Sequence, residues 1–293
     1  MWNKIALLGT GLMGAPMADR LLAAGMPLTV WNRTPQKANA LLARGAQWAV
    51  SPAEAVSGAQ VVVTMLADGP AVREVLTNGG VARAMEAGAL FVDMSSIPPE
   101  MAREHAKILT SRTVEALDAP VSGGVVGAEN GTLAIMAGGT PEAFHRAQPL
   151  FVALGKATHV GPAGSGALAK LANQMIVGVT IGAVAEALLL MAAGGADPAA
   201  VRDAIRGGFA ESRVLELHGA RMLERNFVPG GRSATQLKDL ESALNTAALV
   251  GVELPLTLRS TQLYRDFVRQ GGGDLDHSAL LLALEKTNPL AEH

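Results

Sequence analysis

The chain has 293 residues, more than one ordinary domain holds, so two domains are expected. Hydrophobic residues make up 49% and the net charge is −2, which excludes a disordered chain and leaves no basic block for a nucleic-acid partner. There is no cysteine, which removes disulfides, thiolate nucleophiles and cysteine-held metals. His105, His145, His159, His218, His277 and His293 show no HxH or HExxH spacing, so no metal site is expected.

Met1-Trp2-Asn3-Lys4 runs straight into an apolar stretch, too abruptly for a signal peptide. Strands are expected at Ile5–Leu8, Leu28–Trp31, 61–66, Leu90–Asp93 and Leu133–Gly138. Helical patterns fall between them over 13–24, 35–44, 71–77 and 99–111, with Pro35, Pro52 and Pro99 near first helical turns. Alternation of this kind predicts parallel βαβ units and a doubly wound α/β sheet of Rossmann type.

After Gly161-Pro162-Ala163-Gly164 the β signal stops. A long interdomain helix from about Gly164 and an all-α remainder are expected, broken at Gly194-Gly195, Gly207-Gly208, 228–232 and 271–273. The domains are therefore drawn as 1–162, binding dinucleotide, and 163–293, helical. Residues 175–193 are almost wholly apolar, but Glu186, Gly178 and Gly182 interrupt them. A buried helix explains them better than a bilayer, and the expectation is a soluble, cytoplasmic protein without a membrane partner.

Gly9-Thr10-Gly11-Leu12-Met13-Gly14 follows the first strand and opens an amphipathic helix. That context turns a weak GxGxxG pattern into a dinucleotide fingerprint. Gly9 permits the turn, Gly11 lets the backbone approach the pyrophosphate, and Gly14 lets the helix pack on the strand, whose amides then favour the phosphate charge. The second strand ends in Trp31-Asn32-Arg33-Thr34, without the carboxylate that receives an NAD ribose. Arg33 suits a 2′-phosphate, with Asn32 and Thr34 adding hydrogen bonds, so NADP(H) is favoured over NAD(H).

Two further segments carry polar chemistry. Asp118-Ala119-Pro120-Val121-Ser122-Gly123-Gly124 offers backbone amides and a hydroxyl that suit a carboxylate. In the helix beginning Gly164-Ser165-Gly166, Lys170, Asn173 and Gln174 share a face, and Gly166 one turn earlier is expected to clear room for a ligand. Leu168, Ala169, Leu171 and Ala172 flank the lysine, so burial is expected to bring its pKa toward the range of an acid–base catalyst.

In these motifs the chain resembles the β-hydroxyacid dehydrogenase family over nearly its whole length. The cofactor signature lies at 9–17, the substrate loop at 118–124, the catalytic helix at 166–173 and a C-terminal motif at Lys238-Asp239-Leu240. The resemblance implies Lys170 as general acid/base, Ser122, Gly123 and Gly124 as carboxylate holders, and Asn173 as an orienting residue. It also implies Met65, Leu66, Ala67 and Ser96 as cofactor-lining residues, and Lys238 near the nicotinamide. It implies hydride transfer, with no metal, to or from a small hydroxy acid or semialdehyde acid of the 3-hydroxyisobutyrate, glyoxylate, succinic or tartronate semialdehyde type. A homodimer or homotetramer is expected. Phe227-Val228-Pro229-Gly230 is followed by Gly231 where the family shows an aromatic, which is expected to leave the substrate end roomier or its loop more mobile. The rival readings are an imine reductase, which places Asp or Tyr where Lys170 stands, and a non-catalytic dinucleotide-binding module.

Overall fold

The structure is a computed structural model that describes residues 2–288; Met1 and residues 289–293, His293 among them, lie outside the described residues. The chain divides into two compact units, Met1–Lys170 and Leu171–His293.

The first unit is built on strands β1 (Ile5–Leu8), β2 (Leu28–Trp31), β3 (Gln47–Trp48), β4 (Val61–Thr64), β5 (Leu90–Asp93), β6 (Glu115–Asp118), β7 (Val121–Ser122), β8 (Leu133–Gly138) and β9 (Gly155–Gly161). Their order in the sheet is β3-β2-β1-β4-β5-β6-β8-β7, with β9 also paired to β8. The first six are parallel, with Ile5 of β1 in register with Leu28 on one side and Val61 on the other. β8 runs antiparallel to β6 and β7. The order reverses between β1 and β4, so their carboxyl ends open the crevice where such sheets receive ligands.

Side-chain alternation along β1 explains why the sheet is covered on both faces. Ile5 and Leu7 pack with Met17, Leu21 and Leu133 on one side. Ala6 and Leu8 pack with Val56, Val72 and Leu76 on the other. All four strand residues are fully buried, and burying a Leu or Ile in this way stabilises by about 1.5–3 kcal/mol.

Several elements differ from the sequence expectation. The strand over 61–66 stops at Thr64, and the helix over 35–44 is a 3-10 turn, Pro35–Ala38, followed by Asn39–Leu42. β3, β6, β7 and β9 were not anticipated: β3 and β7 have two residues each, β6 opens on Glu115, and β9 alternates in burial without an apolar run.

The second unit is helical. The helices Pro198–Ile205, Arg213–Leu223, Ser233–Leu249, Pro255–Arg269 and Leu280–Thr287 follow the long helix Ser165–Ala193, which opens in the first unit and continues into this one. Ile181, Leu188, Leu240, Tyr264, Phe267 and Leu281 form its core. The helix at Arg213 starts where the Ser212 hydroxyl accepts the Leu215 N–H. By length and composition Ser165–Ala193 is apolar enough to cross a membrane, a test that core helices also pass. Along its most apolar stretch 33% of the residues are buried, and Leu168, Ile176 and Leu190 are exposed.

Candidate active site

At the head of the crevice Gly9 adopts φ +105°, and a Cβ on it would collide with the Met65 carbonyl oxygen. A Cβ on Gly14 would collide with the Gly9 carbonyl oxygen, whereas one on Gly11 would meet nothing within 4 Å among the described residues. The two outer glycines therefore close the turn, and the central one faces open space. The helix that begins at Gly14 has no side-chain cap, and among the described residues the amides of Gly11, Leu12 and Met13 have no acceptor. Orphan amides at a helix start, beside an open glycine, fit the pyrophosphate of a dinucleotide.

Asn32 is engaged within the protein. Its Oδ1 accepts the Thr10 N–H at 3.0 Å and its Nδ2 donates to the Thr34 carbonyl at 2.9 Å. The side chain thus ties the end of β2 to the glycine turn, and its oxygen is committed to the protein instead of the cofactor. Arg33 and Thr34 are exposed beside it.

The loops after β4 and β5 are tied together. Met65 and Leu66 are half-buried and Ala67 is exposed. The Leu66 N–H donates to Ser95 Oγ at 2.9 Å, and the Ser95 N–H donates to Asp93 Oδ1 at 2.9 Å. Thr64 Oγ1 donates to the same oxygen at 2.8 Å. Asp93 is fully enclosed; desolvation pushes its carboxyl up to about 6, against the opposing hydrogen bonds from Ser95 and Thr64. Ser96 follows, half-buried. Sequence reasoning named Ser96 and missed Ser95 and Asp93; the available signal was a carboxylate closing an otherwise apolar strand.

Lys170 is 9% exposed, and its Nζ donates to the Val121 carbonyl at 2.9 Å. That carbonyl immediately precedes Ser122-Gly123-Gly124, so the lysine and this turn are neighbours. Ser122 is half-buried and both glycines are exposed. Gly123 at φ +137° and Gly124 at φ +62° turn the chain into the helix Gly124–Asn130.

The lysine's helix is anchored by Asp118. Its Oδ1 accepts the Gly164 N–H at 2.7 Å and its Oδ2 accepts the Ala167 N–H at 2.8 Å. Burial raises the Asp118 pKa and these two bonds lower it, with burial the larger effect. Gly166 does not clear ligand space as expected. A Cβ there would collide with the carbonyl oxygens of Asp118 and Met136, so the glycine admits the backbones of β6 and β8.

In the second unit, Asn173 Nδ2 donates to Gln174 Oε1 at 2.9 Å, and Gln174 Nε2 donates to Asp239 Oδ2 at 2.9 Å. Lys238 Nζ lies 3.4 Å from Asp239 Oδ1. Asn173 and Lys238 are thus joined through Gln174 and the 3%-exposed Asp239, to which sequence reasoning gave no role. Two of the scattered histidines converge: His218, Asp276 and His277 bring ligand-type atoms within 4.8 Å of one another. Asp276 already accepts from Gly230, Gly231 and Ser278, with Arg221 at 3.6 Å, and those donors compete with any cation. The Gly230 and Gly231 amides tie to Asp276 the loop for which a roomier substrate end or greater mobility was expected. A Cβ at Gly231 would lie 3.3 Å from the His277 ring, so the imidazole stands closest to where a side chain would begin.

Comparison with known proteins identifies the family. Residues 4–161 match the NAD binding domain of 6-phosphogluconate dehydrogenase, and residues 164–284 match the NAD-binding domain of NADP-dependent 3-hydroxyisobutyrate dehydrogenase. The chain is 44% identical to the 2-hydroxy-3-oxopropionate reductase of Escherichia coli K12, covering 96% of this chain and 97% of that one. It is 34% identical to the NAD-dependent L-serine dehydrogenase of Pseudomonas aeruginosa, covering 97% and 99%. The solved 3-hydroxyisobutyrate dehydrogenase of Mycobacterium tuberculosis with L-serine superposes with a TM-score of 0.90 at 35% identity, covering 97% and 99%. Matches across both units, on a sheet that opens its crevice at Gly9, establish that the chain is an NAD(P)-dependent oxidoreductase belonging to the β-hydroxyacid dehydrogenase family.

Proposed function

We propose that the protein is an NADP(H)-preferring reductase of a small carboxylate-bearing aldehyde or keto acid, with Lys170 as general acid/base. The observation that carries this reading is the bond from buried Lys170 Nζ to the Val121 carbonyl, which holds the ammonium next to Ser122-Gly123-Gly124. A nicotinamide, when bound, supplies hydride to the carbonyl carbon of the substrate. Lys170 donates a proton to the developing alkoxide oxygen in reduction and takes it back in oxidation. Ser122 and the Gly123 and Gly124 amides hold the carboxylate, which fixes the carbonyl relative to Nζ. The roles of Asn173 toward substrate and Lys238 toward cofactor rest on the family resemblance.

Arg33 supports NADP(H), since it is exposed beside the glycine turn where a carboxylate would favour NAD(H). Relatives of both preferences exist: the matched domain is named for an NADP-dependent enzyme and the Pseudomonas relative for an NAD-dependent one. The lysine favours this reading over an imine reductase, which places an acid at that point, and over a non-catalytic module. The exposed Leu168, Ile176 and Leu190 support a homodimer or homotetramer, measurable by sedimentation. The deciding experiment is turnover of glyoxylate, succinic semialdehyde, tartronate semialdehyde and 3-hydroxyisobutyrate with each cofactor. Fastest reduction of a semialdehyde acid with NADPH is expected. Turnover of imines alone, or of nothing, overturns the proposal.

A further inference from the structure

Behind β5 and β6 lies a cavity of about 10 Å³ whose walls include Phe91, Ala102 and Leu109 together with Asp93, His105 and Asp118. It is the size of one water molecule. Among the described residues Asp93 Oδ2 has no hydrogen-bond partner, and neither has Nδ1 or Nε2 of His105, which is 2% exposed. Three orphan polar atoms on two residues that share one water-sized space are a strong demand for a bridge, because buried polar groups are seldom left unpaired. Both Asp118 oxygens, by contrast, are already engaged by the Gly164 and Ala167 amides.

We propose that His105 donates, across one internal water in this cavity, to the bare Oδ2 of Asp93, making His105 a positioning residue for the dinucleotide-facing ends of β4 and β5. The inference rests on the reading that the Leu66 and Ser96 loops line the cofactor. His105 belongs to the helix Pro99–Thr110 and to none of those loops. Its influence passes through Asp93, whose Oδ1 takes both the Thr64 hydroxyl and the Ser95 N–H, and then through Ser95 Oγ to the Leu66 N–H. An ionised carboxylate accepts those bonds more strongly than a carboxylic acid does.

The electrostatics agree with this geometry. Burial lowers the His105 pKa, as does the Arg73 charge, while Glu104 raises it. A neutral ring keeps one N–H to donate at neutral pH. Burial and the Asp118 charge push the Asp93 carboxyl up to about 6, and a donor at Oδ2 opposes that rise by favouring the carboxylate. The charged groups facing the pair are therefore Asp118 from β6, Glu104 on the helix itself and Arg73 from the helix Gly69–Leu76.

The test is calorimetric titration of the apoprotein with NADP+ from pH 5 to 8, each variant compared with wild type at every pH. His105→Leu is expected to weaken binding about tenfold at pH 7 and to move the acid-side loss of affinity upward by about one pH unit, one unit being a tenfold change in protonation. His105→Gln, which keeps an N–H and an oxygen, is expected to restore the wild-type profile. In an Asp93→Asn background His105→Leu should add nothing further. Wild-type binding by His105→Leu at every pH overturns the proposal, and so does equal weakening by His105→Leu and His105→Gln, which marks a packing role only. Gly11→Val serves as the control: if it too leaves affinity unchanged, the glycine crevice itself is not the dinucleotide site. A crystal structure in which Asp93 touches His105 directly, or in which the cavity is dry, removes the water bridge.

Discussion

Lys170 Nζ donates to the Val121 carbonyl at 2.9 Å, which places a buried ammonium one residue from the Ser122-Gly123-Gly124 turn. The two residues are 49 positions apart in sequence and meet because Asp118, at the end of β6, grips the amides of Gly164 and Ala167. One carboxylate thereby sets where the lysine's helix begins, and Nζ falls beside the loop that follows β6. Removing the ammonium should cost the reaction and spare the cofactor. Lys170→Ala is expected to lower kcat by about 10²–10⁴-fold while the Kd for NADP+ changes little. Steady-state turnover and calorimetric binding check the two halves separately, and near-normal kcat would end the catalytic assignment.

Arg33 is exposed at the end of β2, next to an Asn32 whose oxygen is occupied by Thr10. On the proposed reading, discrimination between cofactors falls on the guanidinium. A charge-assisted bond to a 2′-phosphate contributes about 1.5–3 kcal/mol, so Arg33→Ser should weaken NADP+ by about 10–100-fold and leave NAD+ nearly unchanged. Equal losses for both cofactors would show that Arg33 does not read the phosphate.

The parts of this site that depend on local backbone geometry were legible in the sequence. Gly9 and Gly14 are required by contacts within one βα unit and with the adjoining Met65, and the strand before them is a plain apolar run. Lys170 and Asn173 share a face because a helix repeats every 3.6 residues. What could not be read are the ties between distant positions. Asp118 caps a helix 46 residues later, Asp93 gathers Thr64 and Ser95, and Asp276 collects donors from Gly230 and Gly231. Gly166 was misread for the same reason, since only the fold shows that β6 and β8 fill the space beside it. β9 escaped notice because its burial alternates and the sequence shows no apolar run there.

Two glycines of the long helix should respond to the same substitution with opposite signs. A Cβ on Gly166 collides with the Asp118 and Met136 carbonyl oxygens, while one on Gly182 meets only Leu280 Cδ2, at 4.0 Å. Gly166→Ala is therefore expected to destabilise by at least the about 1–3 kcal/mol of an overpacked site. Gly182→Ala should stabilise by about 0.5–1 kcal/mol, since it only removes backbone freedom from a helix interior. Urea denaturation of the two variants measures both. A Gly166→Ala protein as stable as wild type would contradict the close approach of the helix to β6 and β8.

Asp93 gives the protein a pH-dependent stability whose sign is fixed by its burial. Burial pushes its carboxyl up to about 6 in the folded chain against an ordinary 3.8, so the folded state binds that proton more tightly than the unfolded chain does. The stabilising contribution is complete below about pH 4 and is lost as the pH climbs through about 6, where an ionised carboxylate must stay desolvated. Asp93→Asn keeps the shape and the acceptor for Thr64 and Ser95 without the charge. Its stability relative to wild type should therefore rise between pH 4 and pH 7, by up to about 3 kcal/mol for a gap of about two pKa units. Urea unfolding of the apoprotein at several pH values follows the difference directly. The comparison cancels Asp276, whose carboxyl is held below the ordinary range by His218, His277 and Ser278 against its own desolvation and whose stabilisation is lost in acid. A difference between the two proteins that stays flat across that window would mean that burial does not raise the Asp93 carboxyl.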